Sequence, residues 1–356
     1  MTMLRPPEAT VKELPLRPDR TVLQLNVAMA LTVWLLWLGF GRGLAITSLV
    51  HDWRISVTMV FGSLVGGGTS EGGGAVAFPV FTKALHIPAP QARLFTYAIQ
   101  SVGMTAASLT ILYLRVPIER RFLRLAAPAG VIGVIISATL IAPSVRTGDI
   151  RVFFTVMLAC LALALIVQWI RKTDGRNQRL TLLAGREQAI IVTTGFVGGI
   201  VSGLLGVGEN MVAFIIIVLL FRISEKVATP TTVILMTIVS ITGFGTHILL
   251  LRDFTGPVPR YWLAAVPIVV VGAPLGALIC SKLSRQVIRL ILIGLIAADF
   301  ASTLWLVPMS AQTMAIAAAA LVAGTVASYL MTRVTRYEPP VIRPQAAPGN
   351  ITHKQA

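Results

Sequence analysis

Two carboxylates of this chain sit where a carboxylate is costly. Glu71 and Glu209 each stand inside a glycine-packed interruption of a long apolar stretch. The first interruption runs from Gly62 to Gly74 and the second from Gly198 to Asn210. A carboxylate flanked by apolar chain takes up a proton, pairs with a cation, or accepts backbone N–H groups. Gly72, Gly73 and Gly74 in one break, and Gly206 and Gly208 in the other, leave N–H groups uncovered. Apolar sequence follows each cluster, and a helix starting there turns its positive end toward an anion. Thr69, Ser70, Ser202 and Asn210 add hydroxyl and amide groups at the same two places. The chemistry this suits is binding of a small anion and movement of a proton with it. If both carboxylates stay ionised, they repel an anion and favour a cation or zwitterion instead. The plainer roles are helix-start capping for the carboxylates and close helix packing for the glycines. Gly199 and Gly203, four apart, read as packing.

Other polar residues fall inside the apolar runs that follow each break. Thr96, Gln100, Thr231, Thr232 and Thr237 are among them, and Thr96 and Thr232 stand 136 positions apart. A lone threonine there usually bonds back to its own helix. His247 is of the type that relays protons. Asp299 has no partner evident in the sequence and is suspect on desolvation alone. Glu71, Glu209, Asp299 and His247 form the candidate proton-coupling set. Lys83 and Arg93 flank the first break and could attract anions, although snorkelling toward an interface explains them equally well.

The elements that must hold these residues are membrane spans. Hydrophobic residues make up 55% of the 356 and charged residues 12%, against about 25% charge in an ordinary soluble domain. Runs of about 20 apolar residues, enough to cross a bilayer, recur near 22–46, 92–114, 123–142, 151–170, 226–251, 260–281, 286–306 and 312–332. The first run is longer than a signal-peptide core and is expected to be retained. The net charge of +16 sits at the ends of these runs, where bilayer orientation puts it, so no nucleic-acid partner is expected. Cys160 and Cys280 lie within apolar segments, which argues against a disulfide framework or a cysteine metal site. No phosphate loop and no hydrolase or metalloprotease motif is present. No cofactor and no enzymatic activity are expected, and any transport is secondary.

Shifted by 136 residues, the halves align: Ala75–Phe78 faces Met211–Phe214, and with three residues inserted Pro128–Gly133 faces Pro267–Gly272. Charge then decides how the broken segments run. If both cross the membrane, the 30 Lys and Arg residues split 17 inside to 13 outside; if both are re-entrant hairpins, 22 lie inside. The positive-inside rule prefers the hairpins. Arms of roughly 12–15 residues, about 18–23 Å of helix, are also too short to span.

The expected fold is an all-α integral membrane protein. Two inverted repeats, about 55–170 and 188–306, each hold a re-entrant glycine-broken helical hairpin and three transmembrane helices, with one extra helix at each end. Residues 1–20 form a cytoplasmic segment, 21–332 one transporter domain, and 333–356 a disordered cytoplasmic tail. Two inverted hairpins meeting at mid-membrane give alternating access to one shared site. An anion channel with glycine-lined filters and a non-transporting membrane scaffold are the competing readings.

The stretch from Gly195 to Gly208 resembles the signature of the sulfite exporter TauE/SafE family. So do Gly272–Ala277 and the following Ser281–Arg285. The resemblance covers roughly residues 55–306. It implies a multi-pass bacterial inner-membrane permease for sulfite, sulfonates, sulfoacetate or related organic anions, with a small anionic substrate and the lipid bilayer as partners and room for a homodimer. The family usually ends each break with Gly-x-Gly-Gly-Gly; here Glu71 and Glu209 enter the two apices.

Overall fold

The computed structural model describes residues 19–69, 73–145, 147–170, 177–283, 285–306 and 311–337. Among them the chain is helical throughout, apart from one bridge between Asn177 and Ile223. The helices are α1 (Asp19–His51), α2 (Trp53–Gly68), α3 (Gly74–Pro79), α4 (Ala89–Tyr113), α5 (Arg120–Ile136) and α6 (Thr147–Ile170). The second half holds α7 (Gly185–Leu205), α8 (Glu209–Ile215), α9 (Glu225–Gly245), α10 (Val258–Lys282), α11 (Arg285–Leu306) and α12 (Ala311–Arg333). Among the described residues, six helical stretches are long and apolar enough to cross a membrane: Arg20–His51, Ala89–Tyr113, Arg120–Ser144, Gly185–Leu205, Glu225–Leu251 and Val258–Cys280. The other expected spans fall on α6, α11 and α12. α1 turns Leu35, Phe40 and Leu44 outward, as a lipid-facing helix does. It kinks at Arg42, whose φ is 46°.

The order broken helix, short helix, π-turn, long helix, long helix occurs twice, and its details recur 136 residues on. After α3 the chain widens into a π-turn at Val80–Ala84, and after α8 into one at Ile216–Leu220. Leu85 and Ile87 donate to Val80 and Phe81; Phe221 and Ile223 donate to Ile216 and Ile217. Left-handed His86 and Arg222 then turn the chain at matching positions. Gly62 lies against Gly73 in the first break just as Gly198 lies against Glu209 in the second.

The two units are locked together by exchanged partners. α2 packs on α10, and α7 packs on α5. Both seams run at backbone contact. A methyl group on Gly199 would stand 2.2 Å from the Gly130 carbonyl, and one on Gly133 2.3 Å from that of Phe196. Across the other seam, Gly67 would strike the Ala273 carbonyl at 1.8 Å, and Gly276 that of Leu64 at 2.1 Å. Only residues without a side chain allow helices this close.

Two expectations need correction. The arms are not all short: α2 has 16 residues, but α7 has 21, about 31 Å. Length therefore does not forbid α7 from crossing. The chain on either side of the segment is paired. Asn177 donates to Arg222 and accepts from Ser224, at 2.9 Å each. The start and finish of the second broken segment thus lie side by side. The tail also begins later than Arg333. Tyr337 is 2% exposed; its hydroxyl donates to Glu187 at 2.8 Å, and its ring meets Phe221 edge-on. Arg336 reaches the same carboxylate at 3.1 Å, and Arg222 donates to the Thr332 carbonyl at 2.6 Å. Residues through Tyr337 therefore clasp both ends of the segment.

The seams make a graded prediction for melting of the purified protein in detergent. Gly199→Leu and Gly276→Leu should each destabilise by about 1–3 kcal/mol, the usual range for overpacking. Gly43→Ala, where an added Cβ meets nothing within 4 Å, should change stability by less than about 0.5 kcal/mol. Wild-type melting of both leucine variants would refute the seams.

Candidate functional site

The second break is a three-residue reversal built on two left-handed glycines. α7 ends at Leu205, Gly206 has φ 80° and Gly208 φ 127°, and Glu209 opens α8. A side chain at either glycine would be strained. The Gly206 N–H caps α7 by donating to the Ser202 carbonyl at 2.6 Å, and the Gly208 N–H donates to Asn210 Oδ1 at 3.2 Å. The turn is seated on α4. A Cβ on Gly206 would come within 2.7 Å of the Arg93 carbonyl and 3.2 Å of Thr96 Cβ. The Tyr97 hydroxyl of α4 donates to the Ser202 carbonyl. The Gly206 and Gly208 N–H groups thus find partners inside the protein.

Around this turn the side chains are buried but not satisfied. Glu209 is 1% exposed and neither carboxylate oxygen has a hydrogen-bond partner. The Ser202 hydroxyl lies beside that carboxylate without meeting hydrogen-bond geometry. Arg93 is 8% exposed. Its Nη1 reaches only the Gly203 carbonyl at 3.4 Å, and its Nε has no partner. Among the described residues no carboxylate lies within ion-pair distance of it. Gln100 accepts from the Ser240 hydroxyl at 2.7 Å and leaves its Nε2 unpartnered. His247, wholly buried, holds Asp253 through Nδ1 and leaves Nε2 free. Arg93 and Tyr97 stand four apart on α4, and the Tyr97 hydroxyl reaches the end of α7 just before the turn that leads to Glu209.

The structure brings together part of the predicted set. Thr96, Gln100, Ser202, Gly206, Gly208, Glu209 and Asn210 lie on the second break or on α4. Thr96 bonds back to Ala92 and Thr232 to Thr229, as lone threonines do. Thr231 bonds back to Val227 and also accepts the Glu119 N–H at 2.9 Å, away from the break. In the first break Thr69 closes α2 by bonding to Val65, and Gly73 and Gly74 start α3. Ser70, Glu71 and Gly72 lie outside the described residues.

Asp299 has the partner that the sequence hid. Lys83 Nζ meets its Oδ1 at 2.6 Å, and both side chains are at most 5% exposed. The same ammonium reaches Ser302 and Thr303, while Thr155 donates to Asp299 Oδ2 at 2.9 Å. This network ties the first π-turn to α6 and α11, and it is fully paired. Sequence reasoning also gave Arg93 and Tyr97 too little weight. An arginine near the start of a span looks like an interfacial one; only burial distinguishes it.

The sequence profile of one family, described as Sulfite exporter TauE/SafE, matches residues 55–303. No curated protein and no solved structure matches the chain.

The Lys83–Asp299 pair predicts an asymmetry in chemical stability. Lys83→Met or Asp299→Leu alone strands one buried charge and should cost about 3–5 kcal/mol. The double variant strands neither and should recover most of that loss in denaturant titration. A double variant no more stable than the two single losses added together would contradict the pairing.

Proposed function

Because the chain belongs to the sulfite exporter TauE/SafE family of membrane transporters, we propose that it carries a small sulfur oxyanion together with a proton through the second break. The anion sits beside Arg93 and draws on the free donors of Gln100 and Ser202. The proton resides on Glu209. The observation that carries this reading is the buried Arg93 guanidinium with a free Nε and no carboxylate within ion-pair distance, beside the turn that leads to Glu209, whose buried carboxylate has no hydrogen-bond partner.

Charge balance in a low dielectric supports this reading. A buried ion without a partner is destabilising by several kcal/mol, so a cation and a carboxylate held apart mark places where something arrives. A monoanion on Arg93 satisfies the guanidinium through charge-assisted hydrogen bonds. A proton on Glu209 removes the charge that would repel that anion. Empty, the pair sums to zero; loaded with one anion and one proton, it still sums to zero. Loading is then neutral, which suits a site walled by apolar side chains.

Alternating access follows from the two units. The recurrence of hydrogen bonds and turns 136 residues apart, and the exchanged seams, support an inverted pair of hairpins facing one central site. The paired ends of the second segment support a hairpin that opens and closes on one face. Placing its mouth and both termini on the cytoplasmic side of a bacterial inner membrane follows from the basic residues. Glu71 and the rest of the first apex would supply the opposite gate.

Purified protein in proteoliposomes tests this. A sulfite gradient should drive proton movement across the vesicle. Arg93→Gln should weaken sulfite binding by roughly 10–100-fold, the equivalent of a charged hydrogen bond of about 1.5–3 kcal/mol, with Arg93→Lys intermediate. Glu209→Gln should still bind sulfite but move no protons. Sulfite flux without protons in the wild type would indicate a channel and overturn the coupled reading.

A further inference from the structure

The structure assigns a proton path to the site described above, and the assignment rests on that coupled reading: we infer that His247 and Asp253 connect the buried cluster to water. After α9 the chain widens into a π-turn, Thr246–Leu251, and reverses through Arg252, whose φ is 53°. The reversal folds Asp253 back onto the turn, its N–H donating to the His247 carbonyl at 3.2 Å. The Asp253 carboxylate meets His247 Nδ1 at 2.9 and 3.0 Å. One end of this pair is wet and the other dry. The Asp253 side chain is 48% exposed, that of His247 1%. π-turns often mark functional positions, and here the turn places an imidazole across the boundary.

The remaining ring nitrogen faces inward. His247 Nε2 is buried and unpartnered. The ring lies 5.7 Å from that of Tyr97, centroid to centroid. The Tyr97 hydroxyl binds the Ser202 carbonyl, one turn of chain before Gly206 and the start of α8 at Glu209. The charged or titratable groups around His247 are Asp253 and exposed Arg252 from its own loop, and Arg93 and Tyr97 from α4. The Ser137–Ile141 turn that packs on the same segment brings no titratable side chain.

Proton bookkeeping is simple. With Asp253 ionised, Nδ1–H donates to it and Nε2 carries the lone pair. A proton released from the Glu209 side binds Nε2 and gives imidazolium. The Nδ1 proton then passes to Asp253 and on to water. One proton has crossed and the carboxylate is ionised again; the ring is left protonated on Nε2, and its reorientation brings that N–H round to Asp253, with the bare nitrogen facing inward, before the next proton. Inward movement runs the same steps in reverse. Both ring nitrogens are needed, and histidine is the side chain whose proton moves readily near neutral pH.

Reconstituted protein separates this path from the parent reading. His247→Ala should cut sulfite-coupled proton flux to about one-hundredth or less, the usual span for a lost acid–base group. Free imidazole in the buffer should restore part of it, which a merely structural role would not allow. Asp253→Asn should also slow the flux, and raising buffer concentration should not restore wild-type rates. A His247→Ala protein that couples at the wild-type rate, or a slow one that imidazole cannot rescue, would overturn the path. If the wild type itself moves no protons with sulfite, the coupled reading fails instead.

Discussion

Backbone-to-backbone contact along two glycine seams is the constraint on which this structure rests. At Gly199 and Gly276 there is no room for even a methyl group. The seams cross between the units, so α2 is held by α10 and α7 by α5. Neither broken segment is packed by its own repeat alone. Within apolar surroundings loose N–H and C=O groups must be satisfied by protein, and helices held this close supply partners to the turn. The arrangement also seats the Gly206 turn on α4 within contact of Arg93 and Thr96. The site exists because the helices around it can approach this far.

The buried charges divide by whether they are paired. Lys83 and Asp299 satisfy each other and draw in Ser302, Thr303 and Thr155. Glu119 is consumed by the N–H groups of Arg121 and Leu180, and Glu187 by Tyr337 and Arg336. These charges fix segments to one another. Burial and then the Glu187 carboxylate push the pKa of the Tyr337 hydroxyl up, so that clasp keeps its proton across ordinary pH. Arg93 and Glu209 are different: each is buried, neither has an opposite charge within ion-pair distance among the described residues, and both flank the Gly206–Gly208 turn, Arg93 feeling Asp253 only from farther off. Unmet valence, rather than charge as such, singles them out.

Much of this was legible in the sequence, for physical reasons that can be named. Glycine clusters inside apolar chain announced the breaks, because little else tolerates that composition. The family resemblance and the 136-residue register followed from the same glycines. Gly199 and Gly203 read correctly as packing residues. The length of α7 did not, because its apolar pattern continues through the glycines with no punctuation, and its start depends on Glu187 accepting the Ala184 N–H. The partner of Asp299 lies 216 positions away, beyond any local pattern. Arg93 resembled a snorkelling residue, since sequence distinguishes the end of a helix from its surroundings poorly. Tyr337 sat in a polar tail whose composition argued against order, and a single aromatic ring decided otherwise.

The central claim is that a sulfur oxyanion binds at the second break beside Arg93. An experimental structure of the protein in lipid nanodiscs with saturating sulfite tests it most directly. The account predicts anion density within hydrogen-bond reach of Arg93, next to the Gly206 turn, with α7 still pressed on α5 at Gly199. Sulfite bound elsewhere, or a second segment running as unbroken helix through Gly206 and Gly208, would contradict it.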